Sequence, residues 1–465
     1  MLQMVLAFIC RHKLLRSPLL AALLFRAALH ESKGLKSRNG RYVALLMSRP
    51  GLTEDAMSIF GTAQQFECVS APQGLLKAIA SGILKETIDE QNYANLSEEE
   101  ERSKRVYREF LQRMFGWLLR FYRIDVIISG NFAYFAEREL HSAAESLGIP
   151  FVVLHKENLK SEARVDYFKD IYRNRRGPFT GRRIVVYNSV EREIQLASGV
   201  VSPDRVSVCG MPRLDRSHQW RLAAAGTTLP ARPSVIFFTF GAKTGLPGIR
   251  RKNQLPGLIR KAHGKFTEPM DPEVERLTWA DTLSQTMRAI ADFAAGNPHV
   301  RVIMKSKRGY TQREFFQDVT GQNIPPNVEW VEEGDPMPLL EKAWVVVSMN
   351  STAVLESLAT GKTVLTPAYA EAGTELMRPW LADFGPAIER MQSGEQLVAR
   401  LTEICSGPAP VVPAELGREA TETLDRWAGN SDGKASERVR NVIEAEVVRA
   451  PSKIVATGSN AVVNT

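Results

Sequence analysis

Three observations predict an α/β protein built from two Rossmann-like domains facing a cleft. Short β-rich runs alternate with helical stretches from Tyr42 onward. A small-residue, proline-containing stretch, WRLAAAGTTLPARPS (220–234), then interrupts the pattern, and a second alternating series begins directly after it. Strands separated by helices pair in parallel and are covered on both faces, so each series predicts one open parallel sheet. Sheets of this kind bind ligands beyond the carboxyl ends of their strands, which puts the natural site between the two domains.

Residues 1–40 are set apart. MLQMVLAFIC is interrupted by Arg11, His12 and Lys13, and the apolar run that follows carries Arg16, Pro18 and Arg26. A secretory signal places its charges ahead of the apolar core, and a membrane span needs about 20 apolar residues with few charges. The segment fits an amphipathic helix better. Such a helix lies on a membrane surface or packs on its own domain, and periodicity does not separate the two.

The first domain is expected over 41–219, with strands at 42–48, 66–70, 125–130, 151–155, 184–187 and 206–210. Two helices are punctuated clearly. Ser97 and Glu100 have capping-box spacing ahead of the run to Tyr122. The helix ERELHSAAESLG ends at Gly148, before Ile149 and Pro150. The charge run 98–105 reads as a solvated face. After the 220–234 linker, the second domain is expected over 235–448, with strands at 235–240, 300–306, 328–333, 344–349 and 363–368 and closing helices. Residues 449–465 read as a loose tail.

Composition narrows the function classes. The chain has 465 residues, 44% of them hydrophobic and 24% charged, which suits a globular protein of two domains. The net charge of +8 favours anionic partners such as nucleotides or phospholipid surfaces. No zinc-finger spacing, RNP-like aromatic motif or long block of like charge is present, so nucleic acid is not an expected partner. The four cysteines are scattered and form no CxxC pair, which fits a reducing, cytoplasmic compartment and suggests neither a disulfide framework nor a zinc site.

The most informative stretch is VVVSMNSTAVLESLATGKTVLTP (345–367). The valines read as a central parallel strand. Asn350 ends it, Ser351 is a favoured N-cap, and TAVLESLAT continues as a helix up to Gly361. The helix N-terminus presents free amides and the positive dipole end, an anion site to which Ser351 and Thr352 add hydroxyls. Glu356 lies about one turn further on and suits a ribose diol. The plainer reading is that Ser351 only caps its helix and Glu356 only faces water.

NSTAVLESLATGKTVLTP resembles the nucleotide-binding segment of two-domain, GT-B type glycosyltransferases, especially bacterial capsule and surface-polysaccharide enzymes. VSVCGMPRLD (206–215) resembles their interdomain stretch and the Gly-x-Pro-Arg-x-Asp of CDP-glycerol glycerophosphotransferases, here Gly210, Pro212, Arg213 and Asp215. The resemblance covers about residues 120–370. It implies transfer of a sugar, or of a polyol phosphate, from a nucleotide-activated donor on the second domain to a glycan or lipid-linked acceptor on the first. It also implies no bound metal and no cofactor besides the donor substrate, because the helix dipole and basic residues neutralise the leaving diphosphate.

Within that frame, Gly241, Lys243 and Thr244 form a basic loop at the end of the second domain's first strand, placed to touch phosphate. It lacks the order of a Walker A loop and also reads as a plain turn. Lys305 and Lys307 lie two apart at another strand end, and the resemblance favours Lys305 beside phosphate. An acceptor hydroxyl needs a base. Glu157 is the first choice and His155 the second, though the two also read as a hydrogen-bonded structural pair. Arg213 either closes on phosphate or pairs with Asp215. Two other activities fit the same plan: a non-hydrolysing nucleotide-sugar epimerase and a non-catalytic nucleotide- or glycan-binding subunit. The basic N-terminal segment adds the expectation of a place on the inner face of the cell membrane.

Overall fold

The computed structural model describes residues 2–12, 16–31, 41–48, 52–61, 65–90, 92–246, 276–306, 312–321 and 324–450. Lys307 and residues 451–465, for which expectations were stated above, lie outside them.

The first sheet contains β1 (His30–Glu31), β2 (Tyr42–Ser48), β3 (Phe66–Pro72), β4 (Val126–Ser129), β5 (Phe151–Leu154), β6 (Arg183–Val186) and β7 (Val206–Val208). Their order is β1-β3-β2-β4-β5-β6-β7. All neighbours are parallel except the two-residue edge strand β1, which runs antiparallel to β3. The second sheet contains β8 (Ser234–Phe238), β9 (Arg301–Lys305), β10 (Val328–Val331), β11 (Val345–Val347), β12 (Thr363–Pro367) and β13 (Glu389–Met391). It is wholly parallel in the order β10-β9-β8-β11-β12-β13. Two Rossmann-like sheets therefore stand in series, as the alternation predicts. Strand order reverses between β8 and β11, so a crevice opens over their carboxyl ends.

The buried strands are apolar runs, with a serine only at one end of β4 and β8, as sheets covered on both faces require. The helix Glu98–Phe121 opens with the Ser97–Glu100 capping box. It buries Tyr107, Leu111, Met114, Phe115 and Leu118 against the first sheet's core. Burying each large side chain contributes roughly 1.5–3 kcal/mol.

The N-terminal segment forms two helices. Leu2–Arg11 packs on Gln73–Ile83, and Pro18–Ala28 packs on Glu98–Phe121. Leu6, Cys10 and Phe25 are fully buried there. A Cβ on Gly82 would sit 2.6 Å from the Cys10 Cβ, so the absence of a side chain sets how closely the first of these helices approaches. The outward faces leave Met4, Val5, Phe8, Leu20 and Leu23 exposed. Among the described residues, no helix is long and apolar enough to cross a membrane.

The chain crosses between the sheets twice. Cys209–Arg213 leads from β7 to the helix Leu214–Ala223, which packs on the second domain against Thr352–Ala359. After the helix Arg418–Ala428 the chain returns, and Ala435–Arg449 packs on Leu52–Phe60 of the first domain. Val439 and Ile443 are buried there with Ala56, Ile59, Val126 and Cys209. Asp215 anchors the returning helix by accepting from the Ala435 and Ser436 amides (3.0 and 2.7 Å) and from Asn430 Nδ2 (2.7 Å).

The two crossings touch backbone to backbone. Met211 N–H donates to Ala428 O at 2.8 Å. Gly210 (φ 90°) and Gly429 (φ 58°) are both in the left-handed region. A Cβ on Gly429 would lie 2.0 Å from Tyr187 O. Gly429→Ala therefore combines an overlap with main chain and a disfavoured φ. The expected destabilisation is roughly 2–4 kcal/mol, read as a lower denaturant midpoint; an unchanged midpoint would show that the crossing is not closely packed.

Candidate functional site

A cavity of about 290 Å³ lies between the domains, over the carboxyl ends of β8 and β11. From the second domain it is lined by the turn after β8, with Gly241, Thr244 and Gly245, and by Asn350, Ser351 and Thr352 after β11. From the first domain come Lys156, Glu157, Asn158 and Arg164.

Each wall has a local cause. Ser351 caps the helix Thr352–Ala359, its Oγ accepting from Ala353 N–H at 3.2 Å. Asn350 sits at φ 49°, a left-handed position that asparagine tolerates better than most residues. Its side chain is committed to the neighbouring loop, with Nδ2 donating to Trp380 O (3.1 Å) and Oδ1 accepting from Ala382 N–H (2.8 Å). The helix thus begins at the cavity wall with its positive end toward the space. The β8 turn is closed by Gly241 N–H donating to Thr244 Oγ1 at 2.8 Å. A Cβ on Gly245 (φ 75°) would lie 3.5 Å from Asn350 Nδ2, so the two walls meet at a glycine.

The facing wall is held by buried polar groups. Asn158 accepts from Tyr187 N–H at 2.9 Å and donates to His155 O. Arg164 Nη1 donates to Leu159 O at 2.9 Å. Burial lowers the Arg164 pKa, and the charge is supported first by Glu157. Glu157 itself is exposed toward solvent. An exposed carboxylate therefore stands near a largely desolvated guanidinium, opposite a helix N-terminus.

Six of the residues proposed from sequence line this cavity: Glu157, Gly241, Thr244, Asn350, Ser351 and Thr352. The others do not line it. His155 is fully buried, with its ring Nε2 3.0 Å from Glu191 Oε1 and 3.4 Å from Tyr172 OH. Lys243 donates to Leu277 O. Lys305 donates to Ser306 O at 3.1 Å, and burial lowers its pKa against the pull of Glu54 and Glu332.

Arg213 and Glu356 pair with each other, Nε to Oε1 at 3.2 Å. Arg213 also donates to Thr352 Oγ1 (3.2 Å) and Tyr187 OH (3.5 Å) and lies 3.5 Å from Asp55. It does not pair with Asp215. Burial works against the guanidinium's charge, but Tyr187, Asp55 and Glu356 outweigh it and raise its pKa. Burial pushes the Glu356 carboxyl up, and Arg213 draws it partway back.

Sequence reasoning missed Arg164, Lys156, Asp55 and the buried cluster behind Glu157. There Lys160 Nζ donates to Glu157 O and lies 3.3 Å from Glu191 Oε2. Among the described residues, no three His, Cys, Asp or Glu side chains converge as a metal site.

No family model matches the chain, and no curated protein does. Solved structures with a similar course include a UDP-GlcNAc 2-epimerase from Methanocaldococcus jannaschii (TM-score 0.47, 10% identity, 87% of this chain and 99% of that one). A UDP-GlcNAc 2-epimerase from Neisseria meningitidis shows a TM-score of 0.44 at 14% identity, over 87% and 99%. The wall teichoic acid polymerase TagF shows 0.46 at 10%, over 94% and 95%. At these values no activity carries across.

The buried cluster makes a pH prediction. Burial alone would raise the Glu191 carboxyl, but Lys160 and His155 outweigh it and hold it at about 2, below the ordinary 4.5. The unfolded chain therefore binds more protons in that interval. The stabilisation is complete above pH 4.5 and is lost as pH falls toward 2. In Lys160→Met the carboxyl loses its main cation, so acid unfolding, followed by tryptophan fluorescence, should set in at higher pH. The same acid midpoint in both proteins would count against the ion pair.

Proposed function

We propose that the chain is a glycosyltransferase that moves a sugar, or a related polyol phosphate, from a nucleotide-activated donor onto a surface-polysaccharide acceptor. The reading is carried by one juxtaposition: a capped helix N-terminus and a glycine turn on one domain face an exposed carboxylate, Glu157, on the other. The donor's diphosphate lies against Ser351, Thr352 and the 241–245 turn. The helix dipole, Arg164 and Lys156 offset its charge. The acceptor hydroxyl approaches from the first domain. With a sugar donor its oxygen bonds to the anomeric carbon, the bond from that carbon to the phosphate oxygen breaks, and the nucleoside diphosphate leaves; with a polyol-phosphate donor its oxygen bonds to the phosphorus next to the polyol, the bond from that phosphorus to the bridging oxygen breaks, and the nucleoside monophosphate leaves. In either case Glu157 takes the hydroxyl proton.

Thermal unfolding against UDP, GDP, CDP, CMP and ADP identifies the donor class. A nucleotide at about 100 times its dissociation constant adds roughly 2.7 kcal/mol. Glu157→Gln should leave that shift intact while transfer falls by about 10²–10⁴-fold. Arg164→Gln should weaken nucleotide binding about tenfold. Full transfer by Glu157→Gln removes the base assignment. Conversion of a nucleotide sugar to its epimer without acceptor identifies an epimerase, and silence across the panel identifies a non-catalytic subunit.

The acceptor is read as lipid-linked, which places the enzyme at a membrane surface. The exposed Met4, Val5, Phe8, Leu20 and Leu23, with Arg11 and Arg26 beside them in the chain, support this. Phe8→Ser with Leu23→Ser changes only outward positions, at 55% and 47% exposure. Cosedimentation with anionic vesicles should fall severalfold without loss of thermal stability, and undiminished cosedimentation rejects the membrane contact.

A further inference from the structure

A second cavity, of about 270 Å³, lies on the flank of the first domain and shares no wall with the interdomain cleft. It sits among the helices Glu98–Phe121 and Phe135–Ser146 and the loop at 177–180. We infer that it is a binding site for a monoanionic sugar, a hexuronate or a hydroxy-carboxylate of that size. The inference does not rest on the reading of the cleft.

Charge is the first argument. Lys104, Arg108 and Arg138 line the cavity together with Glu101 and Glu139, so three cations face two carboxylates. Lys104 pairs with Glu101 at 2.9 Å, and Arg108 Nε pairs with Glu139 at 2.5 Å. Arg138 forms no ion pair of its own among the described residues; the Tyr93 ring, 5.1 Å from its guanidinium, and the more distant Glu139 only partly support its charge. Arg138 is 7% exposed, and burial lowers its pKa to about 10. One net positive charge is balanced by a monoanion, whereas a phosphate dianion would leave the cavity with a net negative charge.

Donor bookkeeping is the second argument. Arg138 Nη2 donates to Pro178 O at 3.1 Å, beside Gly177, where a Cβ would come within 3.3 Å of that nitrogen. Arg138 Nη1 is buried with no hydrogen-bond partner among the described residues. Buried donors of this kind are costly to leave unmade. An entering carboxylate that the Arg138 side chain shifts slightly to meet would satisfy it. Among the described residues Arg108 engages the protein through Nε, which leaves its Nη groups as further donors. Ser142 and Thr180, hydrogen-bonded to each other at 2.9 Å, and the second Glu101 oxygen suit sugar hydroxyls. The volume fits one hexose ring and is at the low end for ligand pockets.

The test is calorimetric titration of the whole chain with glucuronate, glucose and glucose 6-phosphate. Glucuronate should bind saturably and at least tenfold tighter than the other two. Arg138→Gln should weaken it about tenfold. Thr180→Trp fills the mouth from an exposed position, so it should abolish binding without altering the melting temperature. Absence of glucuronate binding overturns the proposal, as do binding that survives Thr180→Trp and equal affinity for glucose or glucose 6-phosphate.

Discussion

The arrangement depends on one buried guanidinium. Arg213 follows directly on the crossing between the domains and reaches Asp55 and Tyr187 on one side, Thr352 and Glu356 on the other. Tyr187 OH in turn donates to Asp55 at 2.7 Å. A charge taken out of water persists only where partners surround it closely, and these partners come from both domains. The pairing therefore sets where the start of the Thr352–Ala359 helix stands relative to the first domain. It also explains why Glu356, one helical turn from the cavity, is held by protein.

Around that clamp the two domains have different tasks. The second supplies fixed main-chain polarity: a capped helix start and a tight glycine turn, each held by hydrogen bonds that leave the space between them free. The first supplies side-chain charge: Lys156, Glu157 and Arg164 on a segment braced from behind by Lys160 and Glu191. Polar backbone on one wall thus meets charged side chains on the other, with the exposed Glu157 carboxylate opposite a helix N-terminus.

Much of this was legible in the chain. The valine runs, the Ser97–Glu100 box, Ser351 as a cap and Gly148 and Gly361 as stops are local signals, and the elements they mark appear within a residue or two. β13 was not read, because the three residues Glu389–Met391 carry no apolar run and become a strand only through pairing with β12. The partners of single side chains were not legible either. His155 reads as a strand-end base, yet Phe132 from before it and Tyr172 and Glu191 from later in the chain enclose it. Arg213 has Asp215 two residues away and pairs instead with Glu356, 143 residues on. Arg164 gave no signal, since an arginine in an amphipathic helix resembles any solvated one. Residues that depend on contacts close in sequence could be read; those that depend on tertiary partners could not.

The return of the last helix has a consequence for synthesis. Val439 and Ile443 complete the layer that covers Ala56, Ile59 and Val126, and Arg183 of β6 pairs with the Glu446 carboxylate. A ribosome releases the first domain's strands long before these residues emerge, and domains ordinarily fold as they emerge. Here an apolar flank stays uncovered until the helix Ala435–Arg449 emerges, after the whole second sheet has been made. The nascent first domain is therefore exposed to chaperones or to other chains while its neighbour is synthesised.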